Sequence, residues 1–388
     1  MSEFSASTVA RLVSAFDSSG IHRMCSPGDY ASGEWLCSEA AGRGVEISRM
    51  PVRTTQTINE DAYIECDGQR IDGLPMFDSP STGNAVLKGT LCAYGERGEI
   101  AYLEQPPNSA SIKGMSFENM RRQAKHAAMV VTTRVTGDSL APINAQFYDA
   151  PFGSPVLLVA GMHHAFLLHH AGAHTAITLT SNHRRVAADS YNISARVASD
   201  SAASPLVVLT PRTGWWESTA ERAGGIVAWL AALSAGAALH RESRLRRDVV
   251  GFATCGHELG HLGLNALLQQ QQHLLSRAAC WLHLGANLGC ASNATLFLRS
   301  TQTADSEHMR NLLVAEGYPV DAICIEPVSK ASGEGRDIVD HGGKILSMAG
   351  SNAHFHAASD RWPGNVSSSR TAAIARAVGN WLCDSGMA

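Results

Sequence analysis

Hydrophobic positions in the second half of the chain alternate between short apolar runs and longer amphipathic segments. The short runs are rich in Val, Ile and Leu, and they predict strands at 192–197, 205–210, 248–256, 280–287, 322–327 and 344–350. The longer segments have helical spacing and predict helices after 221 and at 261–279, 308–317 and 369–383. This strand–helix alternation predicts an α/β fold with a mostly parallel, mixed sheet and helices on both faces.

The first half of the chain has a different pattern. Up to about residue 50 it reads as helical, with a helix at 31–41 that Gly42 and Gly44 end, and a strand follows at 45–54. The middle of the chain is β-rich, with predicted strands at 61–68, 85–95, 98–105, 126–135 and 154–161 and one helix at 163–174. We expect this middle block to fold as a module of its own.

Four loops follow predicted strands of the second half. Ligands of α/β sheets bind beyond the carboxyl ends of the strands. Candidate functional residues are therefore expected in the loops 210–221, 255–261, 283–289 and 352–360.

Composition narrows the class of protein. The 388 residues are 45% hydrophobic with a net charge of −4, which suffices for a large core and gives no electrostatic reason to expect nucleic acid or a membrane as partner. The N-terminal segment lacks the pattern of a secretory signal, and the apolar run 223–239 is short for a membrane span, so it predicts a buried helix. Nine scattered cysteines without a CxxC pair indicate free thiols and a cytoplasmic protein.

The chain has 17 histidines, a number that raises the hypothesis of a metal site. The segment from His257 to His261, HELGH, matches H-E-x-x-H, a pattern in which two histidines on one helix face bind zinc. A predicted strand runs directly into His257, however, and Gly260 disfavours a helix. We therefore predict that the segment straddles a strand end and the start of the next helix, where the two histidines are not forced onto one face.

Taken together, these segments resemble the co-catalytic zinc aminopeptidase family, which also contains the glutaminyl cyclases and whose members commonly carry an inserted protease-associated (PA) domain. The resemblance spans nearly the whole chain: 25–52 is similar to the first helix and strand of the family, 73–186 to the PA domain, and 190–216 to the strands that lead to the first metal ligand. It implies a phosphorylase/hydrolase-like zinc peptidase core at 1–58 and 188–388, with a β-rich PA domain inserted at 59–187.

The family binds two zinc ions through five residues, and this chain matches only part of that set. The first His falls at Thr210 or Pro211, and the second Asp falls within 283–286, where no carboxylate remains. The bridging Asp, the ligand Glu and the terminal His correspond to Glu221, Glu258 and His356. The resemblance therefore implies a single divalent ion per chain, with zinc as the first choice and Mn, Fe or Co as alternatives.

His257 stands where the family has its general-base Glu, and an imidazole with an ordinary pKa of about 6.5 suits that role. Alternatively, His257 binds the metal and leaves Glu258 or Glu217 as the base, and His283 is a further candidate ligand. Four neighbouring side chains are candidates for substrate contacts. They are Trp215 and Trp216, as an aromatic wall, and Arg212 and Arg361, as partners of a substrate carboxylate.

The expected function is hydrolysis of a C–N bond (amide, peptide or amine) in a small molecule or short peptide, by water activated on one metal ion. Without the general-base Glu, ordinary aminopeptidase activity is not expected. Two alternatives remain open: a catalytically inactive relative that acts as a binding module, or cyclase-type aminoacyl chemistry. A homodimer is compatible with the inserted domain and the weakly charged chain.

Overall fold

The computed structural model describes residues 2–108, 115–137, 139–291 and 294–387. Its helices are α1 (Ala6–Asp17), α2 (Pro27–Ala41), α3 (Phe117–Gln123), α4 (His164–Gly172), α5 (Thr219–Arg241), α6 (Leu262–Gln271), α7 (His273–Arg277), α8 (Thr303–Ala315), α9 (Glu334–Asp340) and α10 (Ser368–Met387). Its strands are β1 (Glu46–Cys66), β2 (Gln69–Pro75), β3 (Leu87–Ala93), β4 (Ile100–Gln105), β5 (Ala128–Thr133), β6 (Val156–Ala160), β7 (Ala176–Val197), β8 (Leu206–Pro211), β9 (Val249–Thr254), β10 (Cys280–Leu284), β11 (Leu296–Ser300), β12 (Ile323–Pro327) and β13 (Ile345–Gly350).

The strands of the second half form a mixed sheet in the order β7-β9-β8-β10-β13-β11-β12. Strands β9, β8, β10 and β13 are parallel to one another. Strand β7 pairs antiparallel with β9, and β11 pairs antiparallel with β13. The predicted mostly parallel, mixed sheet is confirmed.

Helices cover both faces of this sheet, as predicted. Val208 of β8 faces the core formed with α1, α5, α8 and α10. Its neighbours Val207 and Leu209 point to the opposite face, where they pack with side chains of α6, α7 and α9. Successive strand residues therefore alternate between two cores because side chains of a strand point to opposite faces.

Helix α5 is the central helix of the larger core. It is long and apolar enough to cross a membrane by length and composition alone, with a mean hydropathy of 1.5. However, 83% of its most apolar 18-residue window is buried inside the protein. A helix that is apolar on all sides and covered by other elements is a core helix, as the apolar run 223–239 predicted.

The segment between β1 and β7, residues 67–175, is called the middle segment here. Strands β1 and β7 pair antiparallel along their whole length, from Glu46–Arg196 to Cys66–Ile177, and form a long two-stranded ribbon. The ribbon connects the second-half sheet to strands β2, β6, β5, β4 and β3 of the middle segment. The strand predicted at 61–68 is therefore not a separate strand, because it continues β1 and pairs with β7.

Two further predictions about elements were incomplete. The helix predicted at 261–279 is divided into α6 and α7. Strands β2 and β11 and helices α3 and α9 were not predicted, because each is short and has little periodicity of its own. All nine cysteines are free thiols.

Candidate functional site

The loops after the parallel strands gather a buried charged cluster at the start of α5. The carboxylate of Asp360 accepts hydrogen bonds from the backbone N–H groups of Ala220 and Glu221, both at 3.0 Å. A carboxylate in this position caps the helix and interacts favourably with its dipole. The cap fixes the first turn of α5, so that the buried side chains of Glu221 and Arg222 are held in place.

Arg222 binds two carboxylates at once. Its Nη2 atom lies 2.7 Å from Oε1 of Glu221 and 2.6 Å from Oε1 of Glu258. Its Nε atom donates to the carbonyl oxygen of Thr213 at 2.5 Å, and the Thr213 hydroxyl donates to Oε2 of Glu258 at 2.9 Å. The guanidinium therefore bridges Glu221 and Glu258 and is anchored to the loop after β8.

Burial and this guanidinium determine the charges of the cluster. Burial raises the pKa of Glu221 to about 8, against the opposing effect of Arg222. Burial also acts to raise the pKa of Glu258, but Arg222 outweighs it and holds the pKa below its ordinary value. The pKa of His356 falls to about 3 because of burial and the nearby guanidinium. Glu258 is therefore the ionised partner of Arg222, while His356 is neutral.

The residues matched to the family's metal ligands lie together but do not fit a metal ion. His356 Nε2 is 3.6 Å from Oε1 of Glu221, and Glu221 and Glu258 share Arg222. A zinc ion would lie about 2.0–2.2 Å from these carboxylate oxygens, in the space where the cationic Nη2 atom already contacts both of them. In the described part of the chain, no three His, Cys, Asp or Glu side chains are gathered as a group that could hold a metal ion.

The HELGH segment forms a tight turn between β9 and α6. Gly256, Gly260 and His261 all have positive φ, at 67°, 71° and 58°, and the helix begins only at Leu262. The prediction of a strand end followed by a helix start is confirmed. The turn nevertheless brings the two imidazoles together, because the ring centroids of His257 and His261 are 4.7 Å apart.

Each of these imidazoles contacts a carboxylate of α9. His257 Nδ1 lies 3.3 Å from Oε1 of Glu334, and His261 Nδ1 lies 2.6 Å from Oδ2 of Asp337. Glu334 is fully buried and also accepts a hydrogen bond from the Thr254 hydroxyl at 2.8 Å. The carboxylates orient both rings through Nδ1, as partners of functional histidines commonly do.

The environments of the two rings shift their pKa values in opposite directions. Burial lowers the pKa of His257 well below its ordinary value, and Arg222 adds to this effect. Burial also acts to lower the pKa of His261, but the hydrogen bond to Asp337 outweighs it and raises the pKa.

A third histidine, His283, lies at the end of β10. Its Nδ1 atom is 2.8 Å from the Ser347 hydroxyl, and its Nε2 atom is buried without a hydrogen-bond partner. Two glycines give these rings room: a Cβ atom at Gly335 would lie 2.6 Å from His283 Nδ1, and one at Gly333 would lie 3.0 Å from His257 Cε1. The segment 333–335 therefore packs directly against two of the three imidazoles.

The three imidazoles line a cavity of about 530 Å³, called the histidine cavity here. Its floor comes from the second-half sheet and its roof from the middle segment, including Asn144 and Gln146. Its lining consists of Pro106, Pro107, Asn108, Asn144, Gln146, His257, His261, His283, Gly285, Ala286, Asn287, Phe297, Ser332, Gly333, Ala349, Gly350, Ser351, Asn352, Phe355 and His356.

Five other candidate side chains do not line this cavity. Arg212 is fully buried and pairs with Asp29 at 2.5 Å. Glu217 pairs with Arg361 at 3.1 Å, and Arg361 also pairs with Asp17. Trp215 is buried against Phe77, and Trp216 is half-buried beside it. These side chains have packing or ion-pair partners outside the cavity, and Trp215 also contacts a lining residue, Asn144.

Sequence reasoning missed three contributors to the site: the buried position of Arg222, and the carboxylates of Glu334 and Asp337. The only signal for the last two was Gly333-Glu334-Gly335, an acidic residue between two glycines in a loop-like segment. For Arg222, nothing in the local sequence indicated its partners. Its real partners are its neighbour in sequence and a residue that the fold brings from the loop after β9.

The sequence matches no protein-family model and no curated protein, but solved structures share its fold. The zinc aminopeptidase BSAP from Bacillus subtilis matches with a TM-score of 0.76 at 13% identity, over 98% of this chain and 95% of that one. An aminopeptidase from Aneurinibacillus sp. strain AM-1 matches with a TM-score of 0.70 at 12% identity, over 98% and 93%. A peptidase M28 precursor from Shewanella amazonensis matches with a TM-score of 0.68 at 16% identity, over 98% and 95%. The chain shares the fold of these peptidases, among them a zinc aminopeptidase.

Proposed function

We propose that this protein, which has the zinc aminopeptidase fold, is a binding module that takes a small ligand in the histidine cavity and does not carry out metal-assisted hydrolysis. The observation that carries the proposal is the contact of Arg222 with both Glu221 and Glu258. A guanidinium at this place supplies the positive charge that the ionised Glu258 needs, and it also contacts Glu221, whose pKa burial raises to about 8. A divalent ion would have to displace a fully buried, hydrogen-bonded arginine before it could bind.

The competing function is metal-dependent hydrolysis of a C–N bond in a small substrate. The structural likeness to zinc aminopeptidases favours it, as does the position of the cavity at the carboxyl ends of the parallel strands. Against it stands the chemistry of the cluster. Both carboxyl groups that would hold the ion contact Arg222. Glu258 is hydrogen-bonded to it, whereas the oxygens of Glu221 are buried without a hydrogen bond. In addition, a histidine replaces the general-base Glu.

The experiment combines metal analysis with a hydrolysis assay. Purified protein is supplied with Zn²⁺, Mn²⁺ or Co²⁺, freed of unbound metal and tested on aminoacyl nitroanilides. We expect no hydrolysis above the buffer rate. We also expect that any metal the protein retains is retained equally by the Glu258→Gln variant. The matched variants are Glu258→Gln and, as a control carboxylate outside the cluster, Glu217→Gln. About one ion per chain, lost in Glu258→Gln and His356→Ala but kept in Glu217→Gln, together with hydrolysis, would refute the proposal.

We also propose that residues 59–187 are a PA-like insertion whose role is to roof the cavity. Roof contacts support this role: the backbone N–H of Ala145 donates to the Glu258 carbonyl at 2.8 Å, and the Trp215 indole donates to Asn144 at 3.0 Å. A reducing, cytoplasmic location is proposed on the basis of the nine free cysteines, of which seven are buried.

A further inference from the structure

The histidine cavity carries hydrogen-bond acceptors that have no partner in the protein. Asn287 uses its Nδ2 group to donate to the Gly350 carbonyl at 3.1 Å, and its Oδ1 atom is left buried and unpaired. His283 Nε2 is likewise buried and unpaired. The Ser347 hydroxyl beside Nδ1 can rotate to donate, or to accept, so His283 Nε2 is free to serve as an acceptor. Buried acceptors of this kind are costly unless a ligand or water satisfies them.

The two imidazoles that contact α9 differ in what they present to the cavity. His257 and His261 each direct Nδ1 at a carboxylate, of Glu334 and Asp337, so Nδ1 carries the hydrogen. The lowered pKa of His257 leaves its second ring nitrogen as an acceptor, whereas the raised pKa of His261 favours the protonated ring that pairs with Asp337. The imidazoles of His257 and His283 and the amide oxygen of Asn287 therefore offer acceptors to the same cavity.

Arg222 acts on the cavity from behind its lining, since it adds to the effect of burial that lowers the pKa of His257 and His283, but it is paired with Glu258. The lining itself favours a cation. The side chains that line the cavity, all within the described ranges, include no Lys or Arg, and the carboxylates of Glu334 and Asp337 stand directly behind two of the imidazoles. The lining also includes the aromatic rings of Phe297 and Phe355. Aromatic faces attract cations, and the Phe297 ring already has such a partner, the Arg299 guanidinium, whose Cζ atom lies 5.0 Å from the ring centroid. Phe355 stacks on His356 with one of its faces.

We propose that the histidine cavity binds a ligand that carries a guanidinium-type organic cation. A guanidinium is planar, has several N–H donors and stacks on aromatic rings, and it can reach acceptors that are spread around a cavity of about 530 Å³. A bare metal ion needs ligands that converge on one point, and the described side chains form no such group. This inference rests on the proposed binding function and names the class of ligand.

The test compares arginine amide with citrulline amide, which is nearly the same size but carries a neutral urea in place of the guanidinium. Binding is measured by calorimetry and by the thermal transition of the full chain. We expect arginine amide to bind and to raise the transition temperature, and citrulline amide to do neither. The variants His257→Leu and His283→Leu should each weaken binding about tenfold or more because a cavity acceptor is lost. His308→Leu, at an exposed position of α8, should bind as the wild type does.

Three results would overturn the ligand class. They are equal binding of both amides, no binding of arginine amide by well-folded wild-type protein, and stoichiometric Zn²⁺ binding that the same histidine variants abolish. The wild-type comparison of the two amides holds even where a variant fails to fold. Mass spectrometry of the recovered arginine amide distinguishes failure of the binding function from failure of the ligand class. Hydrolysis of arginine amide that depends on Glu258 would refute the binding function itself. Absence of binding would refute only the ligand class.

Discussion

Arg222 is the residue that distinguishes this site from a metal centre. Its side chain is buried between Glu221 and Glu258, and Thr213 holds it from a third direction. A buried cluster of this kind is stable only as a whole, because removing Arg222 leaves the ionised Glu258 buried without a partner. The site is therefore organised around a cation that is part of the chain.

Substitution of Arg222 by Ala should lower the free energy of unfolding by about 3–5 kcal/mol, because the two buried carboxylates lose their shared partner. Urea unfolding at neutral pH measures the change. The control is Arg310→Ala, which removes an exposed pair with Glu307 whose closest atoms are 3.7 Å apart; surface pairs of this kind contribute about 0–1 kcal/mol. A loss at Arg222 as small as that of the control would show that the cluster does not stabilise the fold.

The sequence predicted which loops form the site but not which partners its side chains contact. The loops after β8, β9 and β10 and the loop 352–360 all contribute to it, as strand–helix alternation predicted. The partners of each side chain depend on tertiary contacts between segments far apart in sequence. His257, for example, meets Glu334 across 77 residues, and no local pattern connects them.

At the scale of the element, α5 shows why this chain uses so many small residues. A Cβ atom at Gly224 would lie 1.6 Å from the carbonyl oxygen of Leu288, and one at Gly225 would lie 2.6 Å from the Thr210 hydroxyl. The helix therefore packs with its backbone almost in contact with the loop after β10 and the end of β8. This close approach positions Glu221 and Arg222 in the cluster.

Two glycine substitutions in α5 provide a matched comparison. Gly224→Ala should lower the free energy of unfolding by about 3 kcal/mol or more, because its methyl group meets backbone that cannot move aside. Gly236→Ala meets only side-chain atoms, of Val249 at 3.2 Å and of Leu382 at 3.5 Å, and it gains helix propensity, so its effect should stay within about 1 kcal/mol of zero. Thermal and urea unfolding of both variants test this, and equal effects would contradict the packing of α5.

Helices and strands were predictable from the sequence where the hydrophobic pattern within the element itself was clear. The run 223–239 is apolar throughout, and the structure buries it as α5. Strand β1 was predicted in two pieces, because its middle carries polar residues such as Thr54 and Asn59 that pair with β7 rather than with a core. Helix α9 has seven residues and no apolar stripe, so only its packing against β10 and β13 defines it.

At the scale of the whole molecule, Asp17 connects the N-terminal helix α1 to later parts of the chain. Its carboxylate accepts a hydrogen bond from Nε of Arg361 and another from the backbone N–H of Trp362, both at 3.0 Å. It also contacts the Thr219 hydroxyl. Burial acts to raise its pKa, but Arg361 and the other donors outweigh this effect and lower the pKa below 3.8. One carboxylate thus joins α1, α5 and the loop before α10.

This contact predicts a pH dependence of stability. Because the folded-state pKa of Asp17 lies below the unfolded value of 3.8, its contribution is fully present above that value and is lost as the pH falls through the folded-state pKa. Asp17→Asn should therefore be less stable than the wild type at neutral pH, with a difference that shrinks in acid. Urea unfolding of both proteins between neutral pH and about pH 3 measures it, and a constant difference would contradict the assignment.

The ribbon of β1 and β7 has a mechanical consequence for the histidine cavity. The middle segment is joined to the rest of the chain through this double strand, and its loops also reach across to the floor, where Pro142 accepts from His356 at 2.8 Å. The strand pairing of the ribbon is irregular between Asn59 and Asp61. A strand bends most readily at an irregularity of this kind. We expect the ribbon to bend at this irregularity. A bend of a few degrees there is amplified by the length of the ribbon, so it lifts the roof of the histidine cavity and sets how fast a ligand leaves.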